Sequence, residues 1–167
     1  MAAAQEQDFL RLMKENQGIV YKICHMYAKT DVAKQDLFQE ITIQLWRAFP
    51  TFRGGARFST WMYRVALNTA ITSFRKSKKQ RSEVKLTPQI TGNLQYEDYD
   101  DETEQRLKLL YKAIETLNPI EKALVFLYLE DRPYKDIAQT LGIAEVNARV
   151  KMNRVKEKLR KLLKHTS

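Results

Sequence analysis

The charge of this chain reverses sign over a short stretch, and that reversal limits how it can fold. Residues 57–85 carry Arg57, Arg64, Arg75, Lys76, Lys78, Lys79, Arg81 and Lys85 against a single acid, Glu83, whereas residues 97–104 read EDYDDETE. Between the two blocks lie Thr87-Pro88 and Thr91-Gly92-Asn93, with no apolar periodicity and hence no face to bury. This pattern predicts two cores, at residues 1–80 and 104–167, joined by a flexible linker at 81–103. In a chain of 167 residues both cores are small, so helix pairing and partner surfaces matter to stability alongside burial. Five Gly and four Pro are too few for a turn-dense sandwich or barrel. The expected fold is all-α, two small helical domains.

Helical periodicity fills both halves. In the first, Phe9, Leu10, Met13, Val20, Ile23 and Tyr27 suggest an opening helical segment, with an interruption near Gly18. Leu37, Phe38, Ile41, Leu45, Trp46 and Phe49 then recur at helical spacing, with Asp31 as N-cap and Pro50 as the stop. A loop at 51–57 containing Gly54-Gly55 feeds a helix over 59–79. In the second half, helices are expected at about 104–117, 119–130, 134–141 and 145–164. Pro119 suits a first helical turn after Asn118, and Pro133 breaks the chain before the third helix.

The 29 Lys and Arg outnumber 20 Asp and Glu, for a net charge of +9. A polyanion is the expected partner, nucleic acid ahead of a membrane surface, because neutralised phosphates release condensed counterions. Cys24 is the single cysteine, which excludes an intramolecular disulfide and a Cys-rich zinc cluster. A reducing, cytoplasmic compartment is expected. The N-terminus has neither a basic n-region nor an apolar h-region, and the longest strongly apolar run, 123–129, is far short of the ~18 residues of a membrane span. No Gly-rich phosphate loop, His cluster or nucleophile-base arrangement is present. The chain is therefore expected to be no enzyme and to hold no metal or cofactor, with Cys24 and His25 as packing or surface residues.

The segment YKDIAQTLGIAEVNARVKMNRVKEKLRKLL places a short helix, a tight turn at Gly142 and a long basic helix. Ala138 is small where two helices cross, and Gly142 tolerates the turn's backbone. On the last helix Ala148, Met152, Val155, Leu159 and Leu162 mark the buried stripe. Opposite lie Asn147, Arg149, Val150, Asn153, Arg154 and Lys161. Residues at the N-terminal end of that face can reach base edges in a major groove, and Lys156, Lys158, Arg160 and Lys161 suit phosphates. The same pattern also fits a solvated face on an ordinary helical hairpin, and charge alone would suit RNA. The helix geometry favours duplex DNA.

Two further faces lie in the first half. Asp36, Gln39, Glu40, Ile43 and Arg47 share one side of the second helix, where Ile43 sits among polar groups as a docking residue or a singly exposed apolar one. On the next helix Trp61, Arg64, Asn68, Thr72 and Arg75 interleave aromatic and cationic groups. Aromatics beside arginine suit the unstacked bases and phosphates of a single strand, although Trp61 also suits a core.

DLFQEITIQLWRAFPTFRGGARFSTWMYRVALNTAITSFRK resembles region 2 of bacterial sigma factors, and LNPIEKALVFLYLEDRPYKDIAQTLGIAEVNARVKMNRVKEKLRK resembles region 4. With only these regions and a short linker, the likeness is to the extracytoplasmic function (ECF) group. It implies a dissociable initiation subunit of core RNA polymerase. Asp36, Gln39 and Glu40 match the DxxQE-type motif that docks on the β′ clamp helices, and the β flap is a further expected contact. The aromatic-basic helix matches the segment that opens and reads the minus-ten element, with Phe52 and Asn68, and Ala48 nearby, at positions associated with holding a flipped base. The helix-turn-helix matches the minus-thirty-five reader, the linker would thread toward the polymerase cleft, and an anti-sigma protein is an expected partner. Val150 stands where many relatives carry Ser, and Asn153 where the residue varies, so the sequence read is this chain's own. The sparser aromatic set of the melting helix implies tighter promoter matching than in housekeeping sigma factors. The competing reading is a free-standing helix-turn-helix regulator, which leaves the stripe from Trp61 to Arg75 without a purpose.

Overall fold

A computed structural model describes residues 3–83 and 101–164, and seven α-helices account for most of them, with no strand among the described residues. The chain divides into two compact units, Met1–Thr91 and Gly92–Ser167. Residues 84–100, on which most of the expected linker falls, lie outside the described residues. The two ends assigned to that linker are helical: residues 81–83 finish one helix and 101–103 begin the next. At the second end Asp101, Glu102 and Glu104 occupy a first helical turn, where carboxylates favour the positive end of the helix dipole.

In the first unit, α1 (Ala3–Tyr27), α2 (Asp31–Ala48) and α3 (Phe58–Glu83) pack pairwise against one another. The expected break at Gly18 does not occur, and α1 runs through it. A mid-helix glycine costs about 0.5–1 kcal/mol relative to alanine, and burial of Met13, Val20 and Ile23 on either side outweighs it. Of the apolar residues that suggested this helix, Leu10 is exposed and the other five are buried. The α2 N-cap is Thr30 instead of Asp31: Thr30 is extended (φ −101°, ψ 156°) and its hydroxyl accepts from Ala33 N at 3.1 Å. Lys34 N already donates to Thr30 O at 2.9 Å, so Asp31 lies inside the first turn, where its carboxylate suits the dipole. Leu37, Ile41, Leu45 and Phe49 are buried as the periodicity requires. Pro50 follows immediately in a 3₁₀ turn, Phe49–Thr51, closed by Phe52 N donating to Phe49 O at 3.0 Å.

In the second unit, α4 (Asp101–Glu115), α5 (Pro119–Leu129) and α6 (Tyr134–Leu141) each pack on α7 (Glu145–Lys164). Asn118 and Glu121 form a capping box: Glu121 N donates to Asn118 Oδ1 at 2.8 Å and Asn118 N to Glu121 Oε1 at 3.0 Å. Pro119 fills the first helical position, where its missing N–H costs nothing. Pro133 is the extended N-cap of α6. Between α6 and α7, Gly142 adopts φ +70°, a conformation that L side chains rarely take, and lets Ile143 N reach Ala138 O at 3.0 Å. Ala148, Met152 and Val155 are buried, while Leu159 and Leu162 are half-buried as the stripe runs out of the core.

Candidate nucleic-acid interface

On α3, six side chains, Met62, Tyr63, Ala66, Leu67, Ala70 and Ile71, turn inward. That leaves Arg64, Asn68, Thr72 and Arg75 exposed in the stripe expected from their spacing. The Thr72 hydroxyl donates to Asn68 O at 2.9 Å, which directs it along the helix. Trp61, at the head of the stripe, is half-buried in a ring cluster instead of standing free. Its centroid lies 6.2 Å from Phe49, 5.3 Å from Phe52 and 5.4 Å from Phe58. Phe9 extends the cluster, edge-on to Trp46 at 5.0 Å and to Phe49 at 5.2 Å. Edge-to-face pairs of this kind contribute beyond their buried area.

Phe52 owes its place to the 3₁₀ turn before it and to Gly54 (φ +73°) after it, which fold the loop back on the start of α3. Its ring partners are Phe49, Phe58 and Trp61. Asn68 stands seven residues beyond Trp61, about 10 Å of helical rise, so the cluster supports one end of the stripe and the amide lies further along. Ala48, at the end of α2, is half-buried, and its carbonyl accepts from the Thr51 hydroxyl at 2.6 Å.

Asp36, Gln39, Glu40, Ile43 and Arg47 are all exposed on one side of α2, and Ile43 retains 44% of its surface. The Glu40 carboxylate accepts from Gln44 Nε2 at 3.0 Å and still faces solvent. Behind this helix Cys24 is buried, and desolvation pushes its thiol up to about 11, far from nucleophile or ligand behaviour. The His25 pKa is lowered by desolvation and by the Lys34 charge. Among the described residues no cluster of three or more His, Cys, Asp or Glu could hold a metal ion.

On α7, Asn147, Arg149, Val150, Asn153 and Arg154 are exposed together, opposite the buried stripe. Arg149 is braced: it donates to Glu145 Oε1 at 3.0 Å and lies 4.6 Å over the Tyr134 ring. Most of the lysines and arginines assigned to phosphates are also held. Lys156 sits 4.3 Å over the Tyr128 ring, Lys158 reaches Glu121 Oε1 at 3.2 Å and Arg160 pairs with Glu157 at 3.4 Å. Lys158 therefore ties α7 to the capped end of α5, a contact 37 residues apart that no local pattern announces. Two further features escaped sequence reasoning. Val146, 70% exposed, is the most open valine of α7, and Tyr128, Leu129, Asp131, Arg132, Pro133 and Tyr134 line an open hollow of about 450 Å³. The spacing of Val146 from Val150 was legible, whereas the hollow depends on the turn at Asp131 (φ +56°).

Residues 12–80 match the sigma-70 region 2 family model and residues 107–159 the sigma-70 region 4 model. The ECF RNA polymerase sigma factor SigE of Mycolicibacterium smegmatis is 27% identical over 93% of this chain, which spans 62% of that protein. SigW of Bacillus subtilis is 25% identical, covering 87% of this chain and 83% of the relative. Among solved structures, the sigma factor RpoE in complex with the anti-sigma factor NepR from Bartonella quintana matches with a TM-score of 0.70 at 18% identity, over 98% of both chains. CnrH in complex with the cytosolic domain of CnrY matches with a TM-score of 0.69 at 15% identity, over 97% of this chain and 91% of the other. A free-standing regulator would not call for the region 2 match. Two sigma-70 regions in their proper order, with ECF relatives along nearly the whole length, mean that this chain belongs to the ECF group of sigma-70 family transcription initiation factors.

Proposed function

We infer that the chain binds core RNA polymerase, directs it to particular promoters and helps to open them, working in the cytoplasm as a specificity subunit with no catalytic chemistry of its own. The observation that carries this is the exposed side of α2, where the charged Asp36, Glu40 and Arg47 and the polar Gln39 surround the apolar Ile43. That surface suits the β′ clamp helices, with Ile43 as apolar anchor and the carboxylates setting register. The α3 stripe serves the minus-ten element: Arg64 and Arg75 take backbone phosphates, Asn68 and Thr72 offer hydrogen bonds to unpaired base edges, and Phe52 and Trp61 supply ring faces beside Ala48. The exposed face of α7 serves the minus-thirty-five element through Asn147, Arg149, Val150, Asn153 and Arg154. The β flap is the expected polymerase contact of the second unit. An anti-sigma protein is the expected antagonist, a reading supported by the likeness to the sigma factor RpoE solved with the anti-sigma factor NepR.

The test is co-elution of the purified chain with core RNA polymerase, followed by transcription from a promoter selected by the reconstituted holoenzyme. Glu40→Lys is expected to weaken assembly while leaving helicity intact, because a like charge at a complementary surface costs binding and not folding. Unchanged polymerase affinity in that variant would remove the α2 assignment.

A further inference from the structure

Val146 and Val150 are 70% and 42% exposed on the face of α7 opposite its buried stripe, so neither belongs to the core of the second unit. With Asn153 they fall at positions i, i+4 and i+7, one line along the helix. The line begins in the first turn, the end that helix-turn-helix proteins insert toward base edges. Around it the exposed side chains are polar: Asn147, Asn153 and Arg154 on the same face, and Arg149 held against Glu145 at 3.0 Å.

We propose that Val146 and Val150 form an apolar strip that reads thymine methyl groups in the upstream promoter element, a deepening that rests on α7 being the duplex-reading helix. The C5 methyl of thymine is the one methyl group on the base edges of a major groove, where the N7, O6, O4, N6 and N4 groups are hydrogen-bond acceptors or donors. A valine has no polar atom, so opposite a donor or acceptor it would exclude water and leave that group unpaired. Opposite a methyl it buries apolar surface on both sides. Branching at Cβ restricts χ1, so little rotamer freedom is lost on contact. The two valines lie about 6 Å apart along the helix axis, close to two base steps of about 3.4 Å. Two separate thymine positions are therefore read, with Asn153 and Arg154 supplying the polar part of the specificity.

The experiment uses holoenzyme reconstituted from the full chain and core RNA polymerase. Duplexes are selected from a pool randomised in the upstream element, and each selected thymine is then replaced singly by deoxyuridine, which removes the methyl and leaves base pairing intact. The expected result is a loss of about fourfold in affinity at one or two positions, from the ~0.8 kcal/mol of one buried methyl-sized group. Val146→Ala should erase the uracil penalty at one of these positions and Val150→Ala at the other. Both side chains are exposed, so helicity should be unchanged. Neutral uracil at every thymine, or penalties unaltered in both alanine variants, would overturn the proposal while leaving the promoter-reading function standing. Failure to enrich any duplex would remove that function and this inference together.

Discussion

The two units both carry basic surfaces but hold their cations differently. On α3, Arg64 and Arg75 are exposed and have no ion-pair partner among the described residues, and a ring cluster backs the head of the stripe. On α7, Arg149, Lys158 and Arg160 each meet a carboxylate, and Lys156 covers a tyrosine ring. Net charge does not distinguish these surfaces. Availability does: the first offers two exposed arginines in a stripe with an aromatic cluster at its head, the set proposed above for an unpaired strand, and the second offers neutral and apolar groups at the tip of a braced helix, the set proposed for the edges of a duplex. Exposed ion pairs contribute about 0–1 kcal/mol, so the α7 pairs orient side chains without preventing exchange to phosphate.

The largest expected effect tests whether the two cores are independent. Leu67→Ala in the first unit or Leu124→Ala in the second, both buried, should cost about 2–5 kcal/mol, and hydrogen exchange of the full chain should show lost protection only in the unit altered. Equal loss in both would mean that the cores fold as one.

Alkaline titration should also separate them. The Cys24 thiol is raised from 9.0 to about 11 by burial, so its contribution to stability is complete below about pH 9 and is lost as pH rises through 11. Burial shifts Tyr27 in the same direction. Melting of the first unit should weaken over that window by about 1–3 kcal/mol, and Cys24→Ala should flatten part of the slope. A slope unaltered by that substitution would place the alkaline sensitivity elsewhere.

Phe52→Ala removes a ring face, worth about 1–3 kcal/mol if a base stacks there. Transcription from duplex promoter should fall by roughly tenfold or more, with much less effect on a template already mismatched across the minus-ten segment. Asn68→Ala should follow the same pattern if its amide holds a base edge. Equal loss on both templates would reduce Phe52 to a packing residue.

On α7, Arg154→Ala should cost about 1–3 kcal/mol and relax preference at one base pair if its contact is bidentate. Arg149→Ala should cost less, because Glu145 and Tyr134 compete for that guanidinium. The reverse order, measured by binding to single-base variants, would make the brace a means of presentation.

The smallest effect is at Lys158. Its removal should lower stability of the second unit by about 0.2–1 kcal/mol and reduce the slope of log affinity against log salt by less than the ~0.9 of a full phosphate contact. A full unit of slope would show that Glu121 releases this lysine when DNA arrives.

Much of the fold was legible because helix formation is local. Capping at Asn118-Pro119, the turn at Gly142 and the inward stripe of Ala148, Met152 and Val155 all follow from neighbours within a turn or two. The departures from local pattern were also local, and each came from a competing contribution. Gly18 was outweighed by packing on both sides, and the α2 cap shifted by one residue because Thr30 supplies a hydroxyl in the extended conformation that a cap requires. The exposed α2 face could be named from periodicity, since residues at three and four spacing share a side.

The sequence by itself determined the helices, their buried stripes, the division of charge and the family, since each depends on spacing along the chain. Only the tertiary structure decided which cations are engaged and where Phe52 and Trp61 stand. Lys158 meets Glu121, Lys156 meets Tyr128, and Phe52 closes on Phe49, Phe58 and Trp61. Two of these contacts join one helix to another and the third folds a loop back on its flanking helices. A side chain's reach across such a gap depends on packing distances and rotamers, which no linear spacing contains.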